Sequence, residues 1–198
     1  MKKQVVGVDE AGRGPLAGPV AVGVVILPRN FNWKLLTGVN DSKQLSELAR
    51  DIIFEKTRLL QKQGKLKFKV SMVSARVIDK IGISQAVALG INRALKLLQI
   101  NPKEVDIKLD GLLKAPEHYV HQETIIKGDA KEKVIGLASI MAKVTRDRYM
   151  AKLSVQPEYM AYDFAAHKGY GTKKHCATIK KFGLSDIHRT TFCTRLPK

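Results

Sequence analysis

The sequence predicts an α/β fold built on a mixed central β-sheet, and three observations carry that expectation. Short Val-rich runs bounded by glycine and proline alternate with segments of helical periodicity. Residues 65–73 alternate, with Leu66, Phe68, Val70 and Met72 on one side and Lys65, Lys67, Lys69 and Ser71 on the other, which is the pattern of a half-buried strand. Residues 131–152 carry Val134, Ile135, Leu137, Ala138, Ile140, Met141, Ala142 and Val144, apolar on almost every side, so this helix is expected at the centre of the fold.

Taken in order, residues 5–9 and 19–27 read as two strands forming a hairpin across a glycine- and proline-rich connection. A polar loop, Asn40-Asp41-Ser42-Lys43, precedes a helix over 47–61 that Ser46 caps, with Leu48, Ile52, Leu59 and Leu60 contributing to its apolar face. After the alternating strand come a short helix at 75–80 and a second at 84–98, where Val87, Ile91, Ala94, Leu95 and Leu98 recur at helical spacing. Residues 105–109 form a strand that delivers Asp110, and 123–126 a shorter one that ends at Lys127-Gly128-Asp129. Beyond the central helix, Thr172 opens a last helix that Gly183 closes, followed by an irregular basic tail. No repeat, low-complexity tract or linker divides the chain, so residues 1–198 are expected to form one domain.

Charge narrows the partner. Thirty-five Lys and Arg against 18 Asp and Glu leave a formal charge of +17, which favours a phosphate polymer through counterion release. An anionic lipid surface would suit the same charge, but no basic amphipathic helix or lipidation motif accompanies it. No apolar run spans a bilayer, and the first residues, Met-Lys-Lys-Gln, lack a signal-peptide core, so a cytoplasmic chain without a membrane partner is expected. Cys176 and Cys193 show no metal-binding spacing and are expected as free thiols.

The chemistry concentrates in residues 5–19. An apolar run ends in adjacent carboxylates, Asp9 and Glu10, and Gly12-Arg13-Gly14 follows at once. Neighbouring side chains on a strand point to opposite faces, so these two acids can share a target only where the strand is ending. Glycine lets a backbone approach a ligand, and arginine offers a fork suited to phosphate. Asp110 and Asp129 repeat the grammar, an acid beside glycine after a β-like run. Each alone reads more readily as a turn former or helix cap. Together with Glu10, in so basic a chain, they suit a hard divalent cation, Mg2+ or Mn2+, and two such ions can promote phosphodiester hydrolysis. The five histidines show no metal spacing, and no GxGxxG or GxxxxGK[ST] loop is present. Asp147 is expected to make local ion pairs on its helix. The segment His167–His175 places Tyr170 between glycines and among cations just before a helix, a pattern open both to nucleotide stacking and to a plain glycine turn.

These blocks resemble the ribonuclease HII family. The resemblance rests on Asp9-Glu10-Ala11-Gly12-Arg13-Gly14-Pro15-Leu16-Ala17-Gly18-Pro19-Val20, on Asp41-Ser42-Lys43, Asp110-Gly111 and Lys127-Gly128-Asp129, and on the 138–147 block, Lys168-Gly169-Tyr170-Gly171-Thr172 and His188-Arg189 with Phe192, in family order over nearly the whole chain. It implies a ribonuclease H-like fold, a mixed central sheet flanked by helices, with a mostly helical, substrate-contacting part at about 155–198. It further implies Asp9, Glu10, Asp110 and Asp129 as catalytic metal ligands, Gly12, Arg13 and Gly14 as readers of a ribose 2′-hydroxyl, Tyr170 as a stacking residue at an RNA–DNA junction, and Ser42 and Lys43 as backbone contacts. The implied activity is endonucleolytic hydrolysis of RNA in RNA–DNA hybrids and 5′ of ribonucleotides embedded in duplex DNA, leaving 3′-hydroxyl and 5′-phosphate ends. No protein partner is implied and a monomer is expected. The related ribonuclease HIII proteins typically vary the Gly-Arg-Gly motif that is present here. A nucleic-acid-binding protein without activity would give the clustered acids no role. Gly82 before Ile83, where the family often has Asn, and Thr191, where it often has Ser, depart from the pattern.

Overall fold

The computed structural model describes residues 4–39 and 45–194. Its centre is a five-stranded sheet in the order β3-β2-β1-β4-β5. The strands are β1 (Gln4–Ala11), β2 (Val20–Pro28), β3 (Lys67–Val73), β4 (Val105–Asp110) and β5 (Gln122–Ile125). β2 lies antiparallel to both β1 and β3, whereas β4 runs parallel to β1 and to β5, so the sheet is mixed as the sequence predicts.

Alternation along the strands sends side chains into two cores. Val6 and Val8 of β1 and Ile107 and Leu109 of β4 pack with Ile91 and Leu95 of α3 (Ile83–Leu97). On the other face, Val25 and Leu27 of β2 meet Leu137 and Ile140 of α5 (Lys133–Ser154) and Ile53 and Phe54 of α1 (Glu47–Lys62). Each fully buried aliphatic side chain contributes about 1.5–3 kcal/mol. The central helix lies so close to β1 that a Cβ on Gly7 would stand 2.1 Å from the Val134 carbonyl oxygen, which only glycine allows. A short α2 (Ala75–Ile81) leads into α3, and a one-turn α4 (Gly128–Lys131) precedes α5. A third cluster, Ala17, Met150, Leu153, Tyr162, Phe164 and Ile179, joins the far end of α5 to α6 (Phe164–His167) and α7 (Lys173–Phe182). Thr172 caps α7 by accepting the His175 N–H, and Gly183 ends it.

Four local expectations change. Periodicity assigns Leu48, Ile52 and Leu59 to the inner face of α1, yet they are exposed, and Ile53, Phe54, Thr57 and Leu60 turn inward. The helix carries apolar stripes on both sides, and the packing of Phe54 against Phe68 of β3, with ring centroids 6.3 Å apart, selects the inner one. On β3, Leu66, Phe68 and Val70 face inward as alternation requires, but Met72 is exposed while Ser71 and Val73 are buried, because α3 covers the opposite face at that end. The strand β1 continues through Ala11 rather than ending at Asp9, since β2 stays paired with it that far. Lastly, the basic tail is not wholly irregular: α8 (Thr190–Cys193) is held by Asp79, whose carboxylate accepts the N–H and hydroxyl of both Thr190 and Thr191. Thr191 thus keeps the hydroxyl that serine would supply. Gly82 joins α2 to α3 at φ 81° and ψ 157°, a region that asparagine enters only with strain.

Candidate active site

Strand register brings the acids together. The parallel ladder between β1 and β4 stops at Val8 opposite Leu109, so Asp9 and Asp110 follow side by side at the ends of that pairing. Val5 on β1 and Lys108 on β4 share their parity and face α5, where Lys108 pairs with Glu132. Asp129, in the first turn of α4, reaches the same place, for the Gly128 and Asp129 N–H groups both donate to Asp110 Oδ1, at 2.6 and 3.4 Å. Glu10 has the opposite parity, yet it too feels the Asp110 charge, because β1 has no partner on its β4 side beyond Val8. Asp9, Glu10 and Asp110 therefore gather at one sheet end, with the Asp129 backbone beside Asp110. Asp129 arrives on a helical turn, after a left-handed Lys127, and not at the end of a strand.

The environment of Asp9 and Glu10 disfavours negative charge. Asp9 is 5 % exposed, and its pKa is pushed up to about 8 by burial, with the Glu10 and Asp110 charges adding to the rise and hydrogen bonds from Ser139 and the Glu10 N–H opposing it. Burial also raises Glu10, against the lowering effect of the Arg13 guanidinium, whose Nη1 stands 3.4 Å from Oε1. Glu10 Oε2 is buried without a hydrogen-bond partner among the described residues. An all-oxygen donor set, crowded charge and an unsatisfied buried carboxylate oxygen fit a hard divalent cation, which would offset each of these penalties. Among the described residues no three His, Cys, Asp or Glu side chains already converge on one point. Asp9 and Asp110 are instead held by N–H and hydroxyl donors, and Glu10 by the Arg13 guanidinium.

Two fully buried arginines, which the sequence reading assigns no role at the site, build the loop beside these acids. Arg189 donates from Nε, Nη1 and Nη2 to the carbonyls of Gly18, Arg13 and Gly12, at 3.0, 2.8 and 2.7 Å. In a trans peptide the C=O and N–H point in opposite directions. Fixing the Gly12 and Arg13 carbonyls inward therefore turns the N–H groups of Arg13 and Gly14 away from Arg189, on residues that are themselves exposed. Arg146 donates in the same way to Pro19, Ala17 and Lys168, so it ties this loop to the segment carrying Tyr170. Gly12, at φ 90°, has no room for a side chain, since a Cβ would lie 2.1 Å from Arg146 Nε. The available sequence signal is an arginine on the same helix as the apolar Val144 and Met150. Asp147 does make the expected local pair, with Lys143 at 2.9 Å.

Tyr170 stands 42 % exposed over Lys143 and Arg146, whose charges are 5.9 and 5.8 Å from its ring centre. It lines one cleft with Glu10, Gly12, Ser139 and Lys143. A second cleft, along Gly111–Lys114 and the start of α3, opens on the other side of Glu10 and includes Arg13 and Asp110. Gly12 and Arg13 thus stand beside the acids and Gly14 follows them exposed, while Ser42 and Lys43 lie outside the described residues.

Behind Tyr170, His167, His175 and His188 are buried together against Phe164. Burial and the neighbouring His175 lower the His188 pKa to about 4. An unfolded histidine takes up its proton near pH ~6.5. Between those values the unfolded chain binds more protons, so His188 contributes stability that is complete above the unfolded pKa and is lost as pH falls toward 4. The contribution is worth about 3 kcal/mol. Urea midpoints of wild type and His188→Asn should converge between pH 7 and 4.5, and a constant separation would contradict it.

Comparison with known proteins gives the family. The sequence profile of the ribonuclease HII family matches residues 6–195. The chain is 48 % identical over 189 residues to ribonuclease HII of Endomicrobium trichonymphae, covering 95 % of this chain and 84 % of that one. Among solved structures it resembles ribonuclease H2 of Pyrococcus horikoshii OT3, with a TM-score of 0.70 and 28 % identity over 95 % of this chain and 93 % of that one. The fold is also shared with a ribonuclease HIII solved in complex with Mn2+, at a TM-score of 0.66 and 20 % identity over 96 % of this chain and 65 % of that one. A strand-end group of acids, a glycine loop braced from within and a family match over nearly all residues lead to one assignment: the chain belongs to the ribonuclease HII family, endoribonucleases of the ribonuclease H type.

Proposed function

We propose that the protein cuts the RNA strand of RNA–DNA hybrids, and cuts 5′ of a ribonucleotide embedded in duplex DNA, by two-metal-ion hydrolysis that leaves 3′-hydroxyl and 5′-phosphate ends. The observation that carries this reading is the cleft shared by Glu10, Gly12 and Tyr170, which sets one of the acids, the start of the glycine loop and an aromatic ring along one path. Asp9, Glu10, Asp110 and Asp129 would hold divalent metal, Mg2+ or Mn2+. When bound, it supplies Lewis-acid stabilisation of the charge that develops at the phosphodiester. The protein's own groups do the rest. The Arg13 and Gly14 N–H groups recognise the ribose 2′-hydroxyl, which distinguishes RNA from DNA. Tyr170 stacks on the adjoining nucleotide, and the surplus of Lys and Arg holds the phosphate backbone. Ser42 and Lys43 join the backbone contacts on the strength of the family resemblance alone. A chain with these partners works in the cytoplasm, and among the described residues no helix is long and apolar enough to cross a membrane.

Incubation with a labelled DNA duplex containing one ribonucleotide tests the reading. One cut 5′ of the ribonucleotide is expected with Mg2+ or Mn2+, and none in excess EDTA. Cleavage that survives the chelator would remove the metal assignment, and equal cleavage of an all-DNA duplex would remove the substrate.

A further inference from the structure

The buried histidines form a chain in which each proton has one permitted position. The Ser185 N–H donates to His188 Nδ1 at 2.9 Å, so a neutral His188 carries its proton on Nε2. That nitrogen is 3.1 Å from His175 Nε2, which must therefore accept. The His175 proton is left on Nδ1, 2.9 Å from the Tyr170 carbonyl, to which it donates. Beside this chain, the Gly169 N–H donates to His167 Nδ1 at 3.1 Å, and His167 Nε2 donates to the Tyr162 carbonyl at 2.7 Å. The His167 and His175 rings stack with centroids 4.2 Å apart. The Tyr170 carbonyl accepts one other bond, from the Thr172 N–H two residues on, within a tight turn.

We infer that His175 and His188 are positioning residues for the ribonucleotide site, a neutral relay that fixes the Tyr170 backbone and through it the pose of the ring. The inference rests on the proposed role of Tyr170 at the junction. A further proton on His175 Nε2 would set two N–H groups against each other and open the relay. Other titratable groups close to it are His167, Tyr170, Tyr162 and Asp186, with Asp163 beside His167. Burial lowers the pKa of both His175 and His188, which keeps the relay neutral at pH 7.

A double-mutant cycle on cleavage of the single-ribonucleotide duplex tests the coupling. Tyr170→Ala should lose about tenfold or more, the value of one aromatic–nucleotide stack. His175→Leu should lose a similar factor, and the double variant no more than Tyr170→Ala alone. His175→Asn, whose amide can donate from the same position, should recover most of the rate. A His175→Leu loss that multiplies with that of Tyr170→Ala, or no loss at all, would overturn the relay and leave the Tyr170 reading standing. No loss in Tyr170→Ala would remove that reading itself. Nitrogen-15 spectra of the wild-type histidines provide a second measurement that needs no variant to fold. Protons on His188 Nε2 and His175 Nδ1 are expected at pH 7, and a proton on His175 Nε2 would refute the relay.

Discussion

Asp110→Asn is expected to abolish cleavage of hybrid and of the single-ribonucleotide duplex while the protein stays folded and binds at least as well. Asparagine retains an oxygen that can accept the Gly128 N–H, now 2.6 Å from Oδ1, so the junction between β4 and α4 should survive. What disappears is one negative charge next to Asp9 and Glu10, both of which already resist ionisation. A ligand charge at a metal site is worth several kcal/mol in the transition state, which corresponds to about three orders of magnitude in rate. Binding of hybrid in calcium should be unchanged or tighter, because a carboxylate no longer repels phosphate. Single-turnover rates and a binding isotherm on the same preparation check both halves. Turnover within tenfold of wild type would take Asp110 out of the site.

The sequence made the acids legible, and strand geometry explains why. Asp9 and Asp110 each close an apolar run, and parallel neighbours in register place such residues side by side. Asp129 looks the same in sequence, but it reaches the site from a helical turn behind a left-handed Lys127, a backbone conformation that composition does not announce. The contribution of Glu10 was harder to foresee, because alternation alone sends it to the far face. Only the early end of the β1–β4 ladder lets it join the others. The inner face of α1 is ambiguous in sequence for a related reason. Leu48, Ile52 and Leu59 make as good a stripe as Ile53 and Leu60, and the choice belongs to Phe68 on another strand. The supports of the loop were least visible. Arg189 donates to carbonyls 171–177 residues away, and a lone arginine in a basic tail reads as a solvated cation until the chain is folded.

Arg189 is accordingly where a single change should damage both stability and substrate choice. Arg189→Leu would leave the Gly12, Arg13 and Gly18 carbonyls without their buried donor, at about 1–3 kcal/mol for each unsatisfied group. The total, roughly 4 kcal/mol or more, is a large part of the stability of a domain this size. Arg189→Lys is the more informative variant. It keeps a positive charge under the loop, but one ammonium group cannot reproduce a planar fork with three separate acceptors. The Lys variant should fold with a lowered urea midpoint and cut the single-ribonucleotide duplex at least tenfold more slowly, since freed carbonyls let the Arg13 and Gly14 N–H groups turn from the position in which a 2′-hydroxyl would meet them. Long hybrids present many ribonucleotides and should suffer less. Lost rate at the embedded ribonucleotide with unchanged preference over all-DNA duplex would show that Arg189 supports only the fold. Lost preference as well would show that the buried fork sets the geometry by which the loop recognises ribose.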